Sequence, residues 1–398
     1  MPKLLQINVD SALYSCGKIC EDISRVAQSE GWDTYVAYGR ERAKGVNKEI
    51  RIGSWAVVYM HWALQRIFDN EGHGSRNATK KLIKNIEELH PDIIHLHLIH
   101  DHYLNYPILF DYLSKSNITV VWTQHDSWNF TGHCYHFVAV NCNKWKSECY
   151  DCPLIHRYPN NLLDRSRKNF NHKKESFLRL NNLIIVSCSR WLDSFVSESF
   201  FKNKRHVVIH NGIDVNRFRP TKEKNKDKFQ IIGVSLPWTK AKGIEDFYQL
   251  RQQLPEKEYD ILMVGLSSKQ LRNLPHGIIG VERTHNIEEL VDLYSSSHVL
   301  VNTTYADNYP TINLEALSCG TPVITYNTGG SPESLNSNVG RVVPQGDINA
   351  LIKAIKELKD NQISVETCRQ HAVDNFDRDK CYKEYLKLYN ELLSDKNG

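Results

Sequence analysis

The sequence predicts an α/β protein built from two doubly wound parallel-sheet domains, and three observations carry that prediction. Short runs that are apolar on both faces alternate with amphipathic stretches, as strands covered on each side by helices do. The alternating series stops at a charged, proline-containing stretch, "RPTKEKNKDKFQ", and then begins again. At 398 residues the chain exceeds what one ordinary core serves, and it suits two domains of roughly 200 residues.

In the first half the predicted strands are "KLLQINV", "DTYVAYG", "DIIHLHL", "TVVWTQHD", "NLIIVSCS" and "HVVIHNG". In the second they are "FQIIGVSL", "YDILMVG", "GIIGV", "HVLVNTT" and "TPVITYN", each followed by helical or turn sequence. Near the end, Tyr382, Tyr385, Leu386, Tyr389 and Leu392 recur at helical spacing. The expected domains are therefore 1–215, 216–375 and a closing helix, 376–398, that packs back on the first domain. Ligands of such sheets bind beyond the carboxyl ends of the strands, so function is sought in the loops there.

Composition narrows the classes. Hydrophobic residues make up 41% and charged residues 24% of the chain, an ordinary globular balance. No apolar run approaches the ~18 residues a membrane span needs. The net charge of +4 is small for this size and does not call for nucleic acid. The opening "MPKLLQINVD" reads as a strand and not as a secretory leader. The expected location is cytoplasmic, with peripheral contact on the cytoplasmic face of the inner membrane as an extension. The ten cysteines should then be thiols, and a cluster among them suggests metal before disulfide.

The most informative stretch is "YADNYPTINLEALSCGTPVITYNTGGSPESL", residues 305–335. Pro310 suits the first turn of a helix, whose free N–H groups make an anion site. Asp307 precedes that turn and Glu315 lies about one turn further in. A capping acid plus a surface glutamate would explain the spacing as well. The run resembles the acid, seven residues, acid signature of the retaining GT-B glycosyltransferases of family 4, although the first acid there is usually glutamate. The resemblance implies that Glu315 holds the nucleotide ribose, that Asp307 faces the donor sugar, and that amides of Asn308, Tyr309 and Thr311 line the diphosphate. "HNGIDVNRFRP" (210–220) is similar to the family's interdomain turn. "VSLPWTKAKGIEDF" (234–247) resembles its Lys-Gly segment, with Lys242 placed to neutralise the diphosphate. Where relatives often carry an arginine this chain has Pro237, which leaves Lys240 as the candidate second cation. On its own a lysine before glycine is an ordinary solvated residue.

In the first domain, "DSALYSCGKICEDI" follows the first strand. Gly17 lets the backbone approach a ligand as a helix begins, and by resemblance Lys18 stands where relatives often carry a basic residue. "VVWTQHDSWNFTGHC" places His125 and Asp126 at the end of a buried strand, an address shared by catalytic and by purely structural histidines. The resemblance implies that His125 lies near the reacting sugar. "GHCYHFVAVNCNKWKSECYDCP" gathers Cys134, Cys142, Cys149 and Cys152, enough thiolates for a structural zinc that staples an insert at about 131–160. Free buried cysteines are the alternative. This segment resembles a subgroup of family 4 found in bacterial capsule and exopolysaccharide clusters, of the colanic-acid type. The adjoining basic, aromatic stretch 156–180 and "SWAVVYMHWALQRIF" would suit anionic membrane, and helix solvation and core burial respectively explain them too.

The expected activity is therefore retaining, metal-independent transfer of a sugar from a UDP or GDP sugar to a hydroxyl of a glycan acceptor, with a lipid-linked glycan as the favoured form. No cofactor is expected for catalysis, structural zinc aside. The alternatives are a sugar-nucleotide epimerase on the same fold, a non-catalytic sugar-nucleotide-binding protein, and a zinc-bearing nucleic-acid binder, which would need more concentrated basic residues than this chain carries.

Overall fold

A computed structural model describes residues 1–157 and 159–397; Tyr158, within the basic stretch named above, lies outside the described residues. The chain divides into two compact units, Met1–Ile209 with Tyr382–Gly398, and His210–Cys381.

The first unit runs β1 (Lys3–Asn8), α1 (Tyr14–Ser29), β2 (Asp33–Tyr38), β3 (Lys48–Arg51), α2 (Trp55–Phe68), α3 (Arg76–Leu89), β4 (Ile93–Leu96), α4 (Tyr106–Lys115), β5 (Thr119–Gln124), α5 (Ser166–Leu178), β6 (Leu183–Ser187), α6 (Arg190–Glu198) and β7 (His206–Val208). Its seven strands are ordered β3-β2-β1-β4-β5-β6-β7 and all pair in parallel. The second unit runs β8 (Phe229–Val234), α7 (Ile244–Gln253), β9 (Tyr259–Val264), α8 (Ser268–Arg272), β10 (Ile278–Val281), α9 (Ile287–Ser296), β11 (Val299–Asn302), α10 (Thr311–Ser318), β12 (Val323–Tyr326), β13 (Gly340–Val343), α11 (Ile348–Asp360), α12 (Val365–Asn375) and α13 (Arg378–Asn397). Its six parallel strands are ordered β10-β9-β8-β11-β12-β13. From Tyr382 onward α13 belongs to the first unit.

The central strands are buried along their whole length, as the double-sided apolar runs required: β5, β6 and β11 expose no residue. Two strands escape the apolar pattern. β3 (KEIR) and β13 (GRVV) lie at sheet edges and stay partly exposed, where charge is tolerated because one flank meets water.

In each sheet the strand order reverses once, between β1 and β4 and between β8 and β11. Strands on either side of such a reversal send their following helices to opposite faces, which leaves a crevice at their carboxyl ends. The loops that emerge there are 9–13 and 97–105 in the first unit, and 235–239 and 303–310 in the second. Within each unit these loops carry or adjoin candidate residues.

Candidate active site

In the second unit the two loops at the reversal are tied together. Tyr305 N–H donates to the Ala241 carbonyl at 2.8 Å, and the Thr303 hydroxyl donates to the carbonyls of Lys242 and Gly243, each at 3.2 Å. Gly243 stands at φ +74°, and a Cβ there would fall 2.2 Å from Thr303 Oγ1, so only glycine permits this approach. The arrangement delivers the Lys242 ammonium to the Asp307 carboxylate, Nζ to Oδ2 2.7 Å, with side chains 37% and 24% exposed. Lys240 is not drawn in. The single 3-10 turn Lys240–Lys242 points it outward to Glu245 at 3.4 Å, almost fully exposed, so among the described residues Lys240 does not supply the second cation expected beside Lys242.

α10 begins at Thr311, with Pro310 as its cap and not within its first turn. Pro310 offers no side chain to the helix N–H groups and the first turn holds no acid. An uncapped N-terminus of this kind favours anions through its free donors and the helix dipole. Asn308 is buried before it, and the buried Tyr309 ring stacks on His210 at 4.8 Å. Glu315, half-buried inside α10, accepts a hydrogen bond from the Tyr294 hydroxyl of α9 at 3.0 Å. Burial and that carboxylate together push the Tyr294 phenol well above its ordinary range, so it remains a donor that fixes Glu315. The loop 327–331 closes over the Asp307 backbone, with Gly330 N–H on the Asp307 carbonyl at 3.1 Å. Below it, Asn313 links Asn302 (2.9 Å) to Ser334 (3.1 Å) within the core. Asp246, whose carboxyl burial pushes up, accepts from Tyr326 at 3.0 Å and Tyr305 at 3.3 Å. Tyr294 and Asp246 support the cluster from sequence-distant positions, and Asn313 from within α10 itself.

In the first unit, α1 also starts without a side-chain cap or a first-turn acid. Gly17 is buried in that turn, where a Cβ would sit 3.3 Å from both Ala12 N and the Asp10 carbonyl. Lys18 beside it is exposed. His125, half-buried just after β5, is held by a chain of imidazoles. Gln6 donates its amide to Cys20 and Ser24, so its carbonyl oxygen accepts from His97 Nε2 at 2.9 Å. His97, kept neutral by burial, then accepts at Nδ1 from His125 Nε2, 3.0 Å away. That leaves Nδ1 of His125 as the lone-pair side of a ring whose pKa burial pulls down to about 4, despite the neighbouring Asp126. A neutral imidazole with that tautomer accepts hydrogen bonds at neutral pH. Asp126 points the other way, to His100 Nε2 at 2.8 Å. Burial disfavours the His100 cation, but Asp126 and Asp101 outweigh it and hold its pKa up at about 10. His125 and Asp126 thus have separate tasks, one neutral and one ion-paired. His95, His97 and His100 were recoverable from "HLHLIHDH", where histidines alternate along a buried strand and its exit.

The four cysteines of the insert line one small cavity with Phe137, Trp145 and Leu154, and all are free thiols. Cys134 hydrogen-bonds to Cys152, which lowers the Cys152 thiol and raises its partner. Gly132 N–H donates to Cys149 Sγ at 3.2 Å. Among the described residues, no three His, Cys, Asp or Glu side chains are placed to hold a metal ion. The sulfurs therefore share a cavity without forming a ligand set.

Two family models match the chain: glycosyltransferase family 4 over residues 17–217 and glycosyl transferases group 1 over residues 214–374. The chain belongs to glycosyltransferase family 4. A putative colanic acid biosynthesis glycosyl transferase, WcaC, of Escherichia coli is 25% identical over 380 residues, 89% of this chain and 90% of that protein. The N,N'-diacetylbacillosaminyl-diphospho-undecaprenol alpha-1,3-N-acetylgalactosaminyltransferase of Campylobacter jejuni is 22% identical over 215 residues, 49% of this chain and 56% of its own. Among solved structures, sucrose-phosphate synthase from Thermosynechococcus elongatus has a TM-score of 0.70 at 16% identity, covering 99% of this chain and 100% of its own. Anabaena HepE in complex with UDP has a TM-score of 0.66 at 13% identity, covering 98% and 100%. These likenesses show the fold, which for this family 4 chain is GT-B, with two Rossmann-like parallel-sheet units.

Proposed function

We propose that this glycosyltransferase moves a sugar from a UDP or GDP sugar to a hydroxyl of a lipid-linked glycan, with retention at the anomeric carbon, in the assembly of a bacterial surface polysaccharide. The observation that carries the reading is the Lys242–Asp307 pair at the uncapped start of α10, with Glu315 one turn inside. Three functions are then distributed as a nucleotide-diphosphate sugar demands. Lys242 and the N–H groups around Asn308, Tyr309 and Thr311 take the diphosphate charge, Glu315 takes the ribose hydroxyls, and Asp307, released by its lysine, takes hydroxyls of the sugar. In the first unit His125, neutral and accepting, offers a hydroxyl acceptor at the end of β5, and Gly17 and Lys18 lie at the start of α1.

In the reaction the bond between the anomeric carbon and the diphosphate oxygen breaks and the acceptor oxygen bonds to that carbon. The acceptor's proton passes to the departing phosphate on the same face. Stabilising the developing charge on that phosphate is the main catalytic contribution, supplied here by fixed donors and one lysine. The acceptor assignment is supported by the colanic acid relative and by the diphospho-undecaprenol named for the Campylobacter enzyme.

The test is proton NMR of the product formed from a UDP or GDP sugar and a lipid-linked glycan extract, with and without EDTA. Retained configuration and undiminished turnover in EDTA are expected. An inverted product, or epimerisation of the donor in the absence of acceptor, would replace this reading. The four clustered thiols are further proposed to hold a structural zinc, supported by their shared cavity and the Cys134–Cys152 contact. Closure on the ion would draw them nearer than they stand.

A further inference from the structure

Helix α2 is built inside out. Its buried positions are Val58, His61 and Gln65, two of them polar. His61 is satisfied by Ser75 and by the N–H groups of Gly72 and Gly74, and Gln65 donates to Asn161 at 2.7 Å. Its outward residues are the apolar ones, with Tyr59 64%, Met60 60% and Trp62 50% exposed, joined by Trp55, Leu64, Ile67 and Phe68. Leu162 and Leu163 extend the patch, since their N–H groups bond to the carbonyls of Arg66 and Ile67 at the end of the helix. Nine of the fifteen large hydrophobic side chains exposed among the described residues lie in this one area. A surface helix ordinarily shows the reverse pattern, and a contiguous apolar patch of this kind marks an interaction surface.

Beside the patch, a cavity of about 480 Å³ is lined by Trp55, Tyr59, Trp62 and Arg66, which recur along one face of α2, and by Arg40 and Arg157. Glu41 and Asp101 also line it, and Asp101 pairs with Arg40 at 3.5 Å. Among the described residues Arg66 and Arg157 have no carboxylate partner, and the buried Nε of Arg40 has no acceptor. The volume is that of a small-molecule site and far exceeds a bare phosphate. Aromatic side chains next to guanidinium groups suit a sugar joined to phosphate.

We propose that the cavity and the outer face of α2 form the subsite for the lipid diphosphate of the acceptor, which rests on the reading of that acceptor as lipid-linked. Arg66 and Arg157 hold the diphosphate, the aromatic wall takes the first sugar, and Met60, Leu64, Ile67 and Phe68 lie against hydrocarbon at the bilayer surface. Tryptophan and tyrosine occupy the boundary between the two, where rings with one polar edge settle.

The test is co-sedimentation of the full chain with phosphatidylcholine vesicles carrying either undecaprenyl diphosphate or phosphatidylglycerol at equal charge. Binding at least about tenfold tighter to the undecaprenyl diphosphate vesicles is expected, a difference of about 1.4 kcal/mol. The double variant Arg66→Gln/Arg157→Gln should lose that preference. Met60→Ser/Ile67→Ser should weaken sedimentation with both vesicles at an unchanged thermal midpoint, since both side chains are exposed. Equal binding to the two anionic vesicles, or none to either, overturns the subsite. So does a dimer of the wild-type chain that Met60→Ser/Ile67→Ser dissolves, because a second copy would then cover the face. Donor binding measured in parallel on the wild-type chain separates this failure from failure of the glycosyl-transfer reading.

Discussion

Replacing Lys242 by glutamine and Asp307 by asparagine, one at a time, separates a structural ion pair from a donor site. The pair is close, at 2.7 Å, but 37% and 24% exposed. A pair of that exposure contributes about 0.2–1 kcal/mol to folding, so either variant should unfold within ~2–4 °C of wild type. The ligand-linked effect is larger. A hydrogen bond between a charged donor and a diphosphate oxygen contributes about 1.5–3 kcal/mol, and its loss in Lys242→Gln should weaken UDP roughly 10- to 150-fold. Asp307→Asn acts with opposite signs on two ligands. It frees the lysine and removes a negative charge near the diphosphate, so UDP should bind equally or more tightly, whereas the UDP sugar loses its hydroxyl acceptor and weakens. Isothermal titration of both variants with UDP and with the UDP sugar reads all four numbers, and GDP compounds serve the same purpose if they are the ligands. The reasoning is refuted if Lys242→Gln stays within about threefold of wild type, or if Asp307→Asn weakens the nucleotide and the nucleotide sugar alike.

Stability should peak near neutral pH. His125 titrates at about 4 when folded against an ordinary 6.5, so the unfolded chain takes up its proton first and stability falls as pH drops from 6.5 toward 4. His100 is held up at about 10, so its contribution is complete below 6.5 and is lost as pH rises toward 10; thermal midpoints across pH 4–10 check both limbs, and His100→Asn should flatten the alkaline one. Gly329→Ala should lower the thermal midpoint and weaken donor binding together, because a Cβ there would lie 1.8 Å from the Asp307 carbonyl oxygen at φ +57°, and the left-handed backbone alone costs about 1–2 kcal/mol. Metal analysis of the purified chain should find one zinc per molecule, with Cys142→Ser/Cys152→Ser abolishing it and loosening the insert; a metal-free chain of equal stability would leave four free thiols, two buried and two half-buried.

The sheets were legible because central parallel strands must be apolar on both faces, and β1, β4, β5, β8 and β11 are. The edge strands β3 and β13 were not, since an edge residue such as Lys48 or Arg341 keeps one side in water and breaks no rule. α2 read equally well as core or surface. Its apolar pattern is plain, but its burial depends on partners for His61 and Gln65 up to 96 residues away. Asp307 and Glu315 stood out by spacing. The distance from Lys242 to Asp307 did not, because 65 residues and a strand reversal separate them. The neighbouring Lys240 looked equivalent in sequence, and one turn of backbone sends it to Glu245 instead. The imidazole chain behind His125 depends on Gln6, 91 residues before His97, and alternation along β4 was its sole sequence signal.

The central claim is that the second unit holds a nucleotide-diphosphate sugar through Lys242 and Glu315. The most direct measurement is a thermal-shift panel of UDP, GDP, ADP and CMP sugars against the wild-type chain, Lys242→Gln and Glu315→Ala. The account predicts that one nucleotide class stabilises the wild type, by about 2.7 kcal/mol at a hundredfold excess over its dissociation constant, and that both variants lose the effect. Equal shifts in all three proteins, or no shift with any nucleotide sugar, would contradict it.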